Sequence, residues 1–244
     1  MIAKFPKKFR SFLTDNGTYT MMLAPLLLFV IIIAIYPIFF SFKISFFDYR
    51  LTDPNQSQTF IGFNNYIQAY NDPLVRKSIW STLVFVFGTV SLEIAAGLGL
   101  ALLMNAETRI SNVMRSFLML PMALPSLVVG LVWRALYNVD FGVLPYYLKL
   151  LGVDLGAGPL TEISMAMPAV ILVDIWQWSP LLMFIFLAGM KSLPIEPYEA
   201  AHVDGASRWQ RFIYITLPLL KPTFLIAILL RTMQSFKVFD IIFT

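Results

Sequence analysis

Few residues in this chain could do chemistry, and their types narrow what that chemistry is. Of 244 residues, none is Cys and one is His, His202. That removes disulfides, thiolate metal sites and cysteine nucleophiles, and a lone imidazole cannot build a His-based metal site. No Ser/His dyad or paired-carboxylate motif is evident, so no catalytic residue and no metal ligand is assigned. The polar residues that stand out do so through their surroundings. Asp174, Gln177 and Trp178 fall at i, i+3 and i+4 inside one long apolar run, and Arg231, Gln234 and Ser235 repeat that spacing inside another. Each set shares one helical face. A carboxylate, amides, a guanidinium and a flat ring suit a polyhydroxylated solute, whose hydroxyls take the polar partners while its C–H face stacks on the ring. These six are the candidate substrate-path residues. The alternative reading is interhelical pairing, Asp174 against Arg231 for instance, and it stays open. Glu93 has no polar companion at helical spacing and reads as structural. Asp240 points opposite Arg231 and reads as ordering the outer end of its span.

The elements that must position these groups are set by composition. Hydrophobic residues make up 58% of the chain and charged residues 13%, with mean hydropathy +0.74. Soluble domains run at roughly 45–50% apolar and about 25% charged, so a soluble globular domain would expose too much hydrocarbon. Disorder is excluded by the aromatic content of 22 Phe, 10 Tyr and 5 Trp. An integral membrane protein remains. Crossing hydrocarbon takes about 20 apolar residues of helix. Met21–Phe42 and Ser116–Trp133 carry no charge, Ser81–Asn105 carries only Glu93, and Ile163–Met190 carries only Asp174. A fifth, more polar stretch holds Arg231, Lys237 and Asp240. The runs are too long and too continuously apolar for alternating barrel strands. The expected organisation is a cytoplasmic segment at 1–20, then a membrane-spanning domain at 21–244 with spans near 21–42, 81–105, 116–134, 163–190 and 219–244.

The first span follows Lys4, Lys7, Lys8 and Arg10, and its 22 apolar residues are longer than a signal-peptide core. It reads as an uncleaved anchor. Segments 1–20, 106–115 and 191–221 carry 10 Lys/Arg against 5 Asp/Glu, whereas 43–80 and 134–162 carry 6 of each. The basic excess places the N-terminus in the cytoplasm. The net charge of +4 is thereby accounted for, and nucleic acid is not an expected partner. Trp80 and Trp133 sit near outer boundaries, where amphipathic rings favour the interface. Pro121 and Pro125 are expected to interrupt the third span, and Pro168 and Pro180 the fourth. Outside, Asp53–Gln58 reads as a loop, a short helix-like stretch starts within 60–70, and Gly142–Gly158 reads as an amphipathic helix lying on the lipid surface. The Asn-x-Ser/Thr triplets at Asn16 and Asn55 read as chance.

The cytoplasmic loop from Lys191 to Lys221 is unusual. Pro197 fits the first position of a helix, where its missing N–H costs nothing. Tyr198–Val203 can be helical, and Gly205 fits the stop because it takes positive φ freely. A second short helix is expected over Ser207–Thr216, with Pro218 marking the start of the next span. Ala200, Ala201, Gly205 and Ala206 let another backbone approach closely. A docking surface and a tight partnerless hairpin both fit this composition.

Glu199-Ala-Ala-x-x-Asp204-Gly205-Ala, followed by Leu217-Pro218, resembles the EAA loop of ABC importer permeases. Leu187-Ala-Gly-Met-Lys-Ser-Leu-Pro194 and Ala206-Ser-Arg-Trp-Gln-Arg-Phe212 are similar to the sugar-importer branch, the maltose and glycerol-phosphate type. Tyr36-Pro37, Ser45-Phe-Phe-Asp48, Phe60-Ile-Gly-Phe-Asn-Asn-Tyr66 and Phe239-Asp-Ile-Ile-Phe-Thr244 extend the likeness over nearly the whole chain. The resemblance implies an all-α integral membrane protein, a multi-span bundle of the ABC importer permease type in the bacterial inner membrane. It implies import of a sugar or sugar-like polyol. Partners would be ABC ATPase subunits, a second and different permease chain, a periplasmic or extracellular solute-binding protein, and membrane lipid. It makes Glu199, Ala200, Ala201, Asp204 and Gly205 the ATPase-docking surface; from their own chemistry, Arg208 reads as an ion-pair partner at the joint and His202 as a solvated surface residue. It also implies a glycine-rich external loop and a final helix beyond Thr244, so the last span is expected to be missing from these 244 residues. The chain carries no G-x-x-x-x-G-K-[S/T] phosphate loop, so it binds no cofactor itself and ATP is used by the partner subunits. The rival reading is an ion-coupled carrier titrating at Asp174 or Glu93, which leaves the EAA loop unexplained.

Overall fold

The computed structural model describes residues 17–49, 59–106, 108–153, 156 and 158–238. Asn16, Asn55, the Asp53 loop, the basic N-terminal residues and Phe239–Thr244, with Asp240, lie outside the described residues. The chain divides into two units, 1–78 and 79–244.

In the first unit, α1 (Gly17–Val30) passes through a widened π-turn (Ile31–Ile35) into α2 (Tyr36–Ile44). This helix is apolar all round, and its described side chains are exposed along its length, which suits a surface that meets hydrocarbon rather than water. Two sequence motifs then meet. Short strands β1 (Phe47–Asp48) and β2 (Thr59–Phe60) pair antiparallel, Phe47 opposite Phe60. Asn65, in α3 (Asn64–Asn71), donates from Nδ2 to the carbonyls of Ser45 (2.9 Å) and Phe47 (3.1 Å). The Tyr66 hydroxyl lies 2.6 Å from Ser45 Oγ. Phe46 packs on Phe42, Phe63 and Tyr66 with ring centroids 5.2–5.7 Å apart. The turn before α3 uses Gly62 at φ +57°, a conformation that glycine adopts without steric cost.

The second unit is organised by α4 (Pro73–Met104, from Ile79 onward), α5 (Arg109–Leu118), α6 (Leu120–Ala123), α7 (Ser126–Tyr137), the short surface helix α8 (Val143–Leu150) and the long α9 (Ile163–Lys191). The elbow helices α10 (Glu196–Val203), α11 (Arg208–Arg211) and α12 (Leu217–Leu219) follow, the last two joined by a π-turn at Phe212–Thr216, and α13 (Lys221–Ser235) ends the described chain. Among the described residues, Met21–Ile44, Pro73–Met104 and Ser164–Lys191 are single helices long and apolar enough to cross a membrane. Two more runs qualify only as bent pairs, 109–137 with a 96° bend and 208–235 with a 62° bend.

Proline explains one bend and fails to make another. Pro125 forces the preceding Leu124 out of the helical region, to φ −81° and ψ 140°. The third span therefore breaks between α6 and α7. The expected interruption of the fourth span is corrected: α9 runs unbroken through Pro168 and Pro180. Proline deletes one ladder hydrogen bond at each position, but α9 is the most enclosed helix of the unit, and packing holds its course. Leu182, Met183, Phe186 and Leu187 on α9 form one apolar cluster with Ala101 and Met104 of α4 and Ala227 of α13. The Phe186 and Phe224 rings lie 4.7 Å apart. Val129 and Tyr137 of α7 pack on Ala169 and Val173 of α9, and the Tyr137 hydroxyl donates to the Ala169 carbonyl at 3.3 Å.

Gly97 lets α4 pack closely against α9. A Cβ there would stand 2.5 Å from Leu182 Cβ and 3.2 Å from backbone atoms of Leu182 and Met183, whereas one at Gly99 would meet nothing within 4 Å. Overpacking of this kind costs roughly 1–3 kcal/mol. Gly97→Val is expected to lower the thermal unfolding midpoint of the detergent-purified protein clearly, and Gly99→Val to leave it nearly unchanged. Equal shifts for the two variants would contradict this packing.

Candidate functional site

The elbow after α9 is built mostly from local rules. Pro197 sits in the first turn of α10, and Glu196 and Glu199 lie where a helix N-terminus favours negative charge. The helix stops in a Schellman arrangement: Ala206 N–H donates to the Ala201 carbonyl (2.9 Å) and Gly205 N–H to the His202 carbonyl (3.1 Å), with Gly205 at φ +75°. Two residues later a capping box starts α11. Ser207 Oγ accepts from Gln210 N–H at 3.2 Å, and Gln210 Oε1 accepts from Ser207 N–H at 2.8 Å. The Tyr198 hydroxyl lies 2.9 Å from Oγ1 of the buried Thr216 and ties α10 to the helix behind it. The expected second helix, 207–216, exists as α11 and a widened turn that leads into Pro218.

The result is a stiff bracket with an open outer surface. Glu199, Ala200, His202, Asp204, Gly205 and Arg208 are exposed and Ala201 is half-buried. Val203 is 87% and Trp209 68% exposed.

Inside the bundle, Arg231 on α13 is almost wholly enclosed. Its Nε and Nη2 donate to the two oxygens of Glu93 on α4, both at 2.6 Å. Nη2 also donates to Asp174 Oδ2 on α9 at 3.0 Å, and Nη1 to Gln234 Oε1 at 2.8 Å. The guanidinium carbon lies 5.0 Å from the ring centre of Trp178. Side-chain exposure of the three ions is 3% or less. Three helices thus converge on one guanidinium, and most of its donors are used.

Four of the six intramembrane candidates therefore come together: Asp174, Trp178, Arg231 and Gln234. Gln177 turns elsewhere. Its Nε2 donates to the Leu124 carbonyl (3.1 Å) and approaches Ser126 Oγ (3.4 Å), so it braces the break between α6 and α7. Among the described residues, its Oε1 and Oγ of the buried Ser235 have no hydrogen-bond partner. Glu93 belongs to the cluster although nothing at helical spacing marked it. Its partner lies 138 positions away in sequence, and periodicity reports only neighbours on the same helix. The usable signal was a matching one: a lone buried acid and a lone buried base on different spans.

Residues 93–242 match the family of binding-protein-dependent transport system inner membrane components. The chain is 36% identical over 223 residues to the trehalose/maltose transport system permease protein MalF of Thermococcus litoralis, a match covering 91% of this chain and 75% of that protein. It is 36% identical over 229 residues to the sulfoquinovosyl glycerol transport system permease protein SmoG of Agrobacterium fabrum, covering 94% and 74%. Among solved structures, a bacterial ABC transporter that imports the acidic polysaccharide alginate superposes with a TM-score of 0.80 at 23% identity, over 96% of this chain and 78% of that one, and shows the same fold. The chain belongs to the binding-protein-dependent transport family. It is a multi-pass inner-membrane permease subunit of an ABC transport system, a transport component rather than an enzyme. Family membership sets aside the ion-coupled carrier reading.

Removing the guanidinium alone would strand two carboxylates in hydrocarbon, which costs about 3–5 kcal/mol when a buried pair is broken. Arg231→Met is expected to collapse the yield of folded permease in membranes. Fluorescence-detected size exclusion checks this, and a wild-type monodisperse peak would contradict it.

Proposed function

We propose that this permease imports a sugar or sugar-like polyol, and that the elbow at 191–218 is where an ATPase subunit docks. Support for the cargo class comes from the relatives, which are named for trehalose/maltose and sulfoquinovosyl glycerol transport. The elbow carries the docking reading: a capped, stiff helix pair offering Glu199, Ala200, Ala201, Asp204, Gly205 and Arg208 on an exposed surface. Ala200 and Ala201 enter a cleft of the ATPase, Glu199 and Asp204 accept hydrogen bonds or meet basic groups, and Arg208 completes an ion pair at the joint. ATP-driven approach of the two ATPases then moves the elbow, and helices that pack as one body tilt with it.

In the membrane, Asp174, Trp178, Arg231 and Gln234 act in this conformation as a strut. Gln177 and Ser235 supply acceptors that no described residue satisfies and that suit a solute hydroxyl. Buried acceptors without a donor are costly, and a passing polyol is a donor of the right chemistry.

Glu199→Lys and Gly205→Val are expected to leave the permease folded and reduce co-purifying ATPase at least tenfold. Valine strains the positive φ that ends α10, and lysine reverses the charge at the joint. Full recovery of ATPase with both variants would refute the docking role. Calorimetry on the cognate solute-binding protein with maltose, trehalose and a panel of amino acids checks the cargo class. Heat with a saccharide is expected, and heat with amino acids alone would overturn it.

A further inference from the structure

The elbow is covalently continuous with α9, which ends at Lys191, and is followed directly by α13, which starts at Lys221. It is not continuous with α4. Whatever moves α4 with the elbow must act through side chains. Two kinds of contact are available. Ala101, Met104, Leu182, Met183, Phe186, Leu187 and Ala227 form an apolar interface, and such contacts are non-directional. They resist separation more than sliding. The other contact is the Arg231 cluster, which joins Glu93 of α4, Asp174 of α9 and Arg231 of α13 through hydrogen bonds of 2.6–3.0 Å. A bidentate guanidinium–carboxylate pair fixes both distance and angle.

We propose that Arg231 is a positioning residue that pins the axial register of α4, α9 and α13, so that α4 follows the elbow during the transport cycle. This rests on the importer reading. Buried ion clusters rarely add net stability over apolar residues of similar size, and register is their best-attested use. A register pin and a mere stabiliser therefore predict different outcomes when the whole cluster is made apolar.

The test uses the assembled complex with its partner subunits in nanodiscs. These 244 residues include no cysteine, so Phe87→Cys on α4 and Leu225→Cys on α13, both exposed, carry spin labels with no competing thiol among them. Distances are measured by pulsed electron resonance without nucleotide and after trapping with ATP and vanadate. In the otherwise wild-type permease one narrow distance is expected in both states. In the triple variant Glu93→Met, Asp174→Leu, Arg231→Met, the complex is expected to assemble and the distance to shift or broaden by several ångströms on trapping. If the triple variant does not assemble, Arg231→Lys, which keeps the charge but loses the bidentate fork, is expected to show the same broadening. A wild-type distance that changes on trapping, or an assembled variant whose distance stays narrow and constant, overturns the pin. Failure of the ATPase to co-purify with the wild-type chain would instead refute the importer reading on which it rests.

Discussion

A guanidinium held in the middle of a lipid-embedded bundle is the interaction on which the rest of this structure turns. An ionised side chain at the centre of a span costs roughly 2.5–3.5 kcal/mol even on lenient insertion scales. The bundle offsets that by surrounding Arg231 with two carboxylates, an amide and an indole face drawn from three helices. No single helix could supply that shell. The requirement to solvate Arg231 with protein therefore dictates which faces of α4, α9 and α13 meet. The apolar cluster around Leu182 and Phe186 and the glycine contact at Gly97 lie on the same helices and fill in around that choice.

A second constraint acts on the backbone. In hydrocarbon, peptide groups freed from the helix ladder have no water to turn to. The break at Leu124 exposes such a carbonyl, and the amide of Gln177 answers it from α9. Pro168 and Pro180 sit inside a helix enclosed by neighbours and leave its course unbroken. What decides between a kink and a straight helix is thus less the proline itself than whether the surrounding packing leaves the chain somewhere to go. Pro121 and Pro125, four positions apart at the more exposed third span, leave it that freedom.

These same facts separate what could be read in the sequence from what could not. The elbow was legible almost residue by residue, because Pro197, Gly205, Ser207 and Gln210 act on atoms within a few positions of themselves. The motifs at Ser45–Asp48 and Phe60–Tyr66 were legible as segments, but their meeting through Asn65 was not, since nothing local says that its amide donates across about twenty positions. Glu93 reads as structural, but the identity of its partner was not legible for a related reason: it lies on another helix. Shared spacing on one helix misled in the case of Gln177. It stands at i+3 from Asp174, yet the two side chains serve different neighbours, because a helix enclosed on several sides presents each of its residues to a different element.

The contrast between directional and non-directional contacts gives the permease its mechanical character. The elbow is stiff because hydrogen-bonded caps close it at both turns and Tyr198 braces it from behind. Under the proposed docking role, a stiff elbow is useful only if what it is joined to does not slip. Apolar surfaces in a bilayer compete with lipid chains of the same chemistry, so they hold helices together without strongly fixing where along their length they meet. A polar cluster has the opposite property: displacing one of these helices by a single turn, about 5.4 Å, would strip Arg231 of its partners and leave the charges unpaired. Slippage is thereby made far costlier than tilting the helices together. Intramembrane charge at this position is best understood as the element that selects rotation of a group of helices over sliding between them.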